Sequence, residues 1–309
     1  MEISVVIPLF NKKDTIINTI KTSLSQSFLP KEIVVVNDGS TDGSELLVKE
    51  FDHPLVKLIH QPNQGVSVAR NKGIEEASAE WIAFLDADDV WFDHYFESLA
   101  HLNRNYPQAN ILATSYQLEN HLGDRAKLIL NKIPFEGEFG ILSNYFEVAA
   151  CSHPPIWSSS VTVRKTAIQK IGGFPKGIKS GEDLITWARL AIDNEIAYSL
   201  KSGAVFVQVA SHTYDDKPNR IPEEPDYVGD SLIKLLQENK KNKNLRNYIA
   251  HWAKMRASIY LRLGNKGKAW NEIRKSLSFD ATNKKLYFYL ILLIFPESIT
   301  RKLFKSFAA

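Results

Sequence analysis

Residues 82–89 read Ile-Ala-Phe-Leu-Asp-Ala-Asp-Asp, an apolar run that ends abruptly in carboxylates. A buried strand with this ending delivers Asp86 and Asp88 to the carboxyl edge of a sheet, where open α/β folds bind ligands. Paired hard oxygen ligands suit Mg²⁺ or Mn²⁺. Such an ion keeps positions open for substrate phosphates, so a nucleotide diphosphate is the ligand class to look for. The same acids also suit the start of a helix through Trp91 and Phe96, with Asp88 or Asp89 as its cap. Both readings stand on this stretch alone.

The flanking sequence favours the sheet edge. Residues 3–7 (Ile-Ser-Val-Val-Ile) are a β-rich run that Pro8, lacking a backbone donor, is expected to close. Residues 14–27 place Ile16, Ile17, Ile20 and Leu24 on one helical face, with Asp14 as the expected cap. A second strand is predicted at 32–36, and the turn-forming cluster at 37–44 opens a helix near Glu45. A strand at 55–60, a loop at 63–65, a helix at 66–77 and the strand at 81–85 continue the alternation. This pitch predicts an α/β fold with a mostly parallel sheet and helices on both faces.

Four stretches, Val5-Val-Ile-Pro-Leu-Phe-Asn11, Glu32-Ile-Val-Val-Val-Asn-Asp-Gly-Ser-Thr-Asp42, Asn63-Gln-Gly-Val-Ser-Val-Ala-Arg-Asn-Lys-Gly73 and Phe84-Leu-Asp-Ala-Asp-Asp89, resemble family 2 glycosyltransferases in order and spacing. The resemblance is dense over residues 1–95 and thins through 155–215. It implies a GT-A (Rossmann-like) fold and inverting transfer of a hexose from a nucleotide sugar, with UDP as the expected nucleotide. It also implies that Pro8, Phe10 and Asn11 lie beside uracil and that Asp38 accepts the imide N–H. Asp86 would lie toward the ribose, and Asp88 of the DXD motif would bind Mn²⁺ or Mg²⁺. An ordinary Asp-Gly turn accounts for Asp38 equally simply. Arg70 can reach a phosphate or base with its fork of donors, or form a surface ion pair with Asp38 or Asp86. Asp89 is expected to support the loop. Asn37 stands where many relatives carry Asp, and Asp93 where they often carry Pro.

The second half of the site is expected from residues 150–215. Residues 158–164 are β-rich, and Ile171-Gly-Gly-Phe-Pro175 is a sharp break. Glu182-Asp183 then opens a helix with Leu184, Trp187, Ala188 and Ala191 on its apolar face. Two acids at a helix start are explained by the backbone dipole alone. The pair also resembles the family's catalytic-base motif, which implies Asp183 as the base and Glu182 as its competitor. The same resemblance offers His212, after a strand at 204–209, as a further metal ligand, against an ordinary surface or core histidine. Residues 213–226 read as a segment able to fold over bound donor. Trp157 is expected in the core rather than as an acceptor platform.

Charge divides the chain. Residues 1–230 hold 21 Lys and Arg against 31 Asp and Glu, whereas residues 231–309 hold 17 against 4. The expected organisation is therefore a GT-A domain over 1–230, with a donor half to about residue 95, and a basic α-helical region over 231–309. Helical patterns at 232–236, 249–263 and 269–277, broken by Gly264-Asn-Lys-Gly267, suggest a small bundle. The apolar run at 286–295 is too short to span a bilayer as a helix. Flanked by Lys284, Lys285, Arg301, Lys302 and Lys305, it fits either a surface helix on anionic lipid or a core helix of the bundle. The single cysteine, Cys151, excludes an intramolecular disulfide and is expected buried. No charged leader precedes the first strand, so a cytoplasmic location is expected, with peripheral contact to the membrane's cytoplasmic face.

Other functions fit less well. The basic tail lacks the ordered aromatic positions of a specific nucleic-acid site. The chain has neither the spans nor the Gln-x-x-Arg-Trp motif of processive synthases. A sugar-phosphate nucleotidyltransferase needs a Gly-rich basic loop that is missing near residue 10. The main expectation is transfer to a cell-envelope glycan or lipid-linked acceptor. Its rival is a noncatalytic module that binds a nucleotide sugar or glycan and recruits a partner through the basic tail.

Overall fold

Strand β1 (Ile3–Leu9), α1 (Ile16–Leu24), β2 (Glu32–Asp38), α2 (Ser44–Phe51), β3 (Val56–Gln61), α3 (Val66–Glu76) and β4 (Trp81–Phe84) alternate as the periodicity predicts, in a computed structural model that describes residues 1–207, 218 and 221–308. Strands β1, β2, β3 and β4 pair in parallel. Then follow β5 (Val90–Trp91), α4 (Tyr95–Asn105), β6 (Ile111–Glu119), β7 (Arg125–Lys127), β8 (Phe139–Ile141) and α5 (Tyr145–Cys151). A 3₁₀ turn at Ser158–Ser160 leads into β9 (Val161–Arg164), α6 (Lys165–Lys170), α7 (Glu182–Asp193) and β10 (Ile196–Val207).

The strand order β3-β2-β1-β4-β9-β6-β10-β5 decides where the site lies. Strand β9 runs antiparallel to both β4 and β6, and β10 runs parallel to β6. The ends of β1, β2, β4, β6 and β10 therefore share one edge. The turn before β9 sits on that edge too, because β9 enters where its neighbours leave.

Pro8 does not close β1. It stays in register with Val36 of β2, and the strand runs on to Leu9. Val6 faces β4 and accepts a hydrogen bond from Leu85 N at 3.1 Å. Pro8, two residues on, faces the same side after β4 has ended at Phe84, so its missing donor costs no ladder bond. Helix α1 likewise begins at Ile16 with Thr15 as its cap residue, not Asp14.

The larger core lies on one face of the sheet, where Val5, Ile7 and Leu9 pack with Ile16, Ile20, Ile33, Val35, Trp91 and Phe96. Each such buried side chain contributes about 1.5–3 kcal/mol by leaving water. On the other face Val34, Val36 and Ala69 of α3 pack together. Here α3 lies so close to β1 that a Cβ on Gly73 would fall 2.2 Å from Val6 Cγ1.

The chain divides into two compact units, 1–148 with 152–209 and 149–151 with 210–309. Residue 230, the boundary suggested by charge, falls inside α8 (Tyr227–Glu238). That helix is followed by α9 (Lys243–Arg262), α10 (Lys266–Phe279), α11 (Lys284–Leu292) and α12 (Glu297–Ala308). Asp226, Asn242, Asn265 and Asn283 cap the first four through their side chains. In the bundle, Arg256 is buried against Glu272 at 2.7 Å. Helix α11 is a core helix on one face, with Leu286, Tyr289 and Leu292 buried, and exposes Tyr287 and Ile291 on the other. No described helix is long and apolar enough to cross a membrane. Cys151, expected buried, is exposed at the end of α5.

Replacing Gly73 by Ala is expected to cost about 1–3 kcal/mol, the usual penalty of overpacking. Because the clash is with Val6, the Val6→Ala/Gly73→Ala double variant should lose less stability in urea unfolding than the two single losses added together. Strictly additive losses would mean that α3 escapes the contact another way.

Candidate active site

The turn after β4 is fixed from three directions. Asp89 N donates to Asp86 O at 3.0 Å, closing a tight turn around Ala87 and Asp88. The Thr15 and Thr19 hydroxyls of the α1 region donate to Ala87 O at 2.8 and 3.0 Å, and the Thr19 hydroxyl also reaches Asp89 O at 2.9 Å. From the turn before β9, the Ser159 hydroxyl accepts from Asp86 N at 3.0 Å and donates to Asp89 Oδ2 at 2.6 Å. Trp157 Nε1 donates to the same oxygen at 2.8 Å, and Val207 N at the end of β10 donates to Asp89 Oδ1 at 3.2 Å. Asp89 is thus a buried support for the loop. Burial and the Asp86 charge push its carboxyl up to about 8, against the pull of the Ser159 and Trp157 hydrogen bonds.

Arg70 joins this turn to α7. Its guanidinium is buried, with one nitrogen 2.6 Å from Asp86 Oδ1 and another 2.9 Å from Glu182 Oε1. It also lies over the Phe174 ring, 5.1 Å from the centroid. Burial works against its charge, but the Asp86 and Glu182 carboxylates outweigh this and hold it more firmly protonated than a free arginine. The pair with Asp86 foreseen at the surface is therefore an interior bridge, and Asp38 takes no part. With two nitrogens engaged and little exposure, the Arg70 side chain is not presented to a phosphate or base in this structure. Next to it, Asn71 holds the Phe174 backbone by hydrogen bonds of 2.8 Å in both directions. Gly173 makes this clamp possible: its φ is +73°, and a Cβ there would lie 2.3 Å from Asn71 Oδ1.

Clamped in this way, α7 brings its first turn to the acidic edge. Glu182 is committed to Arg70. Asp183, half-buried, has only a local hydrogen bond from Leu184 N at 2.8 Å among the described residues. Burial and the neighbouring Glu182 charge push its carboxyl up to about 7, with Arg70 opposing. Tyr116, near the end of β6, feels the Asp183 and Asp89 charges, which add to burial in raising its phenol. A carboxylate poised near neutral pH and facing few donors is suited to accept a proton.

Asp88 is the most open acid of the turn. Its Oδ2 meets Lys12 Nζ at 2.5 Å, and both side chains remain partly exposed. Among the described residues, Asp86 Oδ2 and Asp88 Oδ1 receive no hydrogen bond, and no group of three or more His, Cys, Asp or Glu side chains gathers as a metal cluster. The donor set fits Mg²⁺ or Mn²⁺ on one observation: hard carboxylate oxygens, one of which already holds a cationic ammonium. His212 lies outside the described residues, as does most of 213–220.

At the ends of β1 and β2, Asn11 Oδ1 accepts from Thr41 N at 2.8 Å, tying the two loops together. Phe10 beside it is exposed, whereas Pro8 is buried. Asp38 is buried and receives Gln61 Nε2 at 2.7 Å, Gln64 N at 2.9 Å and Gly65 N at 2.8 Å, so it organises the start of α3. Asn37 spans Ser40 N and His60. Trp157 packs at the core's edge, 4.1 Å from Phe206 between ring centroids. Lys12, Ser159, Thr15 and Thr19 were not singled out by sequence. The four-residue spacing of the two threonines on α1 was the one available sign.

A sequence profile described as glycosyl transferase family 2 matches residues 4–158. The chain belongs to that family. The uncharacterised glycosyltransferase YibD of Escherichia coli is 42% identical over 100 residues, 32% of this chain and 29% of that protein. The putative teichuronic acid biosynthesis glycosyltransferase TuaG of Bacillus subtilis is 38% identical over 93 residues, 29% of this chain and 36% of that protein. The match thus spans about a third of each relative's own length. The crystal structure of Staphylococcus aureus TarS 1–349 in complex with UDP-GlcNAc superimposes with a TM-score of 0.70 at 17% identity, covering 99% of this chain and 91% of that one. The fold is therefore GT-A.

Removing the guanidinium should be costly. Arg70→Met leaves the buried Glu182 and the partly buried Asp86 carboxylates without their shared cation and is expected to lose about 3–5 kcal/mol in urea unfolding. Arg70→Met/Asp86→Asn/Glu182→Gln, with no stranded charge, should recover much of that loss. Equal instability of the two variants would show that Arg70 acts through packing on Phe174.

Proposed function

We propose that this protein is a metal-dependent, inverting glycosyltransferase that moves a hexose from a UDP-linked donor to a hydroxyl of a cell-envelope glycan or lipid-linked acceptor. The observation that carries this is the Arg70 bridge between Asp86 and Glu182, which ties the turn that bears Asp88 to the helix start that bears Asp183. An inverting transfer needs a carboxylate to take the acceptor proton on one side of the sugar and positive charge at the departing diphosphate on the other. Asp183 suits the first task, with its basicity raised and Glu182 already spent on Arg70. Asp88, with Asp86, would hold Mn²⁺ or Mg²⁺, which when bound stabilises the leaving diphosphate. The exposed Phe10 ring supports stacking of the base at the mouth of the β1 loop, with Asn11 and Asp38 fixing the loops around it. The UDP-GlcNAc complex of TarS supports a uridine nucleotide sugar, and the name of TuaG supports an envelope glycan.

The test is transfer and donor binding measured together. Asp183→Asn should bind donor normally and lose transfer by about 10²–10⁴, the range of general-base catalysis. Asp88→Asn should lose Mn²⁺-dependent donor binding as well. Since only the deprotonated base is competent and its carboxyl is raised to about 7 before a metal binds, kcat/KM at subsaturating Mn²⁺ should fall as pH drops below about 7. Near-normal transfer by Asp183→Asn would remove the assignment. Tight UDP binding with neither hydrolysis nor transfer would favour the noncatalytic module.

The basic helical unit is proposed to rest on an anionic membrane surface, near a lipid-linked acceptor. Exposed Ile291, Ile294, Phe295 and Ile299 follow one another through the turn between α11 and α12, with Lys284, Lys285 and Lys302 exposed on the flanking helices. Lys266 Nζ lies 3.5 Å from Ile294 O, at the tip itself. Apolar tips ringed by lysine match a lipid interface of negative charge. In flotation with phosphatidylglycerol vesicles the full chain should rise with the lipid, and Ile294→Asp/Phe295→Asp should stay behind. Equal flotation of both proteins, or none by the wild type, would sink the idea.

A further inference from the structure

We propose that Lys12 is an exchangeable counter-cation: it sits on Asp88 in the ligand-free protein and passes to the donor diphosphate when a divalent ion takes the carboxylate. This rests on the metal-dependent transfer proposed above and adds a residue and a coupling to it.

Geometry comes first. Lys12 is held at the end of the β1 loop, where Thr15 N and Ile16 N donate to its carbonyl at 3.2 and 3.0 Å. The same short segment is pinned to the acidic turn by the Thr15 and Thr19 hydroxyls on Ala87 O. The backbone at Lys12 is therefore fixed relative to Asp88. Its side chain, by contrast, is four methylenes ending in an ammonium, 36% exposed and bonded to one oxygen of a carboxylate that is 24% exposed. Exposed pairs of this kind are weak and exchange readily. The contrast with Arg70 is direct: that side chain is 4% exposed and bridges two carboxylates.

Competition follows from charge. An ammonium and a divalent ion on the same carboxylate would stand within a few ångströms of each other and repel. Metal binding to Asp88 therefore works against the Lys12 contact even where the ion takes the free Oδ1, and in the absence of donor the released ammonium gains only water. When the diphosphate is present it gains an anion instead, since a fixed backbone and a long flexible side chain leave it facing the same ligand space. A group with one partner in the free state and another in the loaded state makes the two ligands help each other, and the coupling must be reciprocal. Lysine suits this better than arginine, because a compact ammonium swings between point contacts without needing a matched fork.

The experiment is Mn²⁺ binding by calorimetry, with and without UDP, for the wild type, Lys12→Met and Lys12→Arg, with circular dichroism to confirm folding. In Lys12→Met, Mn²⁺ alone should bind about 2–5-fold tighter, because a weak competing pair is gone. UDP should bind more weakly, and the factor by which UDP tightens Mn²⁺ binding should shrink at least about 5-fold. Lys12→Arg, which keeps the charge, should stay near the wild type for Mn²⁺ alone. Unchanged or weaker Mn²⁺ binding by a folded Lys12→Met overturns this proposal while leaving the metal site standing. A wild type whose Mn²⁺ binding does not depend on Asp88 overturns both.

Discussion

A buried guanidinium cannot stand alone, and the need to neutralise Arg70 shapes this site. Its partners come from segments that the chain separates widely: Asp86 lies 16 residues away and Glu182 lies 112. Satisfying both draws the first turn of α7 against the acidic turn after β4, although α7 precedes the last long strand of the sheet rather than following β4. Phe174 completes the enclosure, stacked under Arg70 and packed edge-on against Phe84 and Trp187. Such a bridge contributes less net stability than its contacts suggest, because desolvating three charges is costly. What it contributes is placement: few other packings of α7 would leave all three groups paired.

The acids of the site are sorted by what already binds them. Asp86 and Glu182 are tied to Arg70, and Asp89 is consumed by Ser159, Trp157 and Val207. Asp38 has three donors of its own. Asp88 and Asp183 are left, one paired weakly with Lys12 and the other holding only a local backbone bond among the described residues. Chemistry needs groups whose charge is not yet spent, and these two stand beside the carboxylates that Arg70 bridges, Asp88 two residues after Asp86 and Asp183 directly after Glu182. Sequence cannot make this division, since each acid appears there with the same formal charge.

Much of the first unit was legible in the sequence. Each strand and helix up to β4 falls within a few residues of its expected place, because apolar period and turn residues are local signals. Where local rules failed, tertiary context was the reason. Pro8 stays in β1 because its neighbour strand stops two residues earlier, and Thr15 rather than Asp14 is the residue before α1, with its hydroxyl bonded to Ala87 O. The acidic pair at 182–183 was visible, but capping and base chemistry predict the same residues, and only the Arg70 contact separates Glu182 from Asp183. Lys12 carried no signal at all: its role depends on a contact with a residue 76 positions away.

The raised carboxyls at Asp89 and Asp183 share a cause beyond burial. Around the turn and the start of α7 stand Asp86, Asp88, Asp89, Glu182 and Asp183, against the two cations Lys12 and Arg70. The nearby carboxylates appear among the groups pushing both pKa values upward. A site left with this excess of negative charge would repel a bare diphosphate and favour the divalent cation proposed for it. Binding such a cation would lower the repulsion against the donor and, by the same field, return Asp183 toward an ordinary carboxylate. Donor affinity and the ionisation of the base would then be set by one shared electrostatic deficit, and a mutation that adds or removes a single charge at this edge should be felt in both.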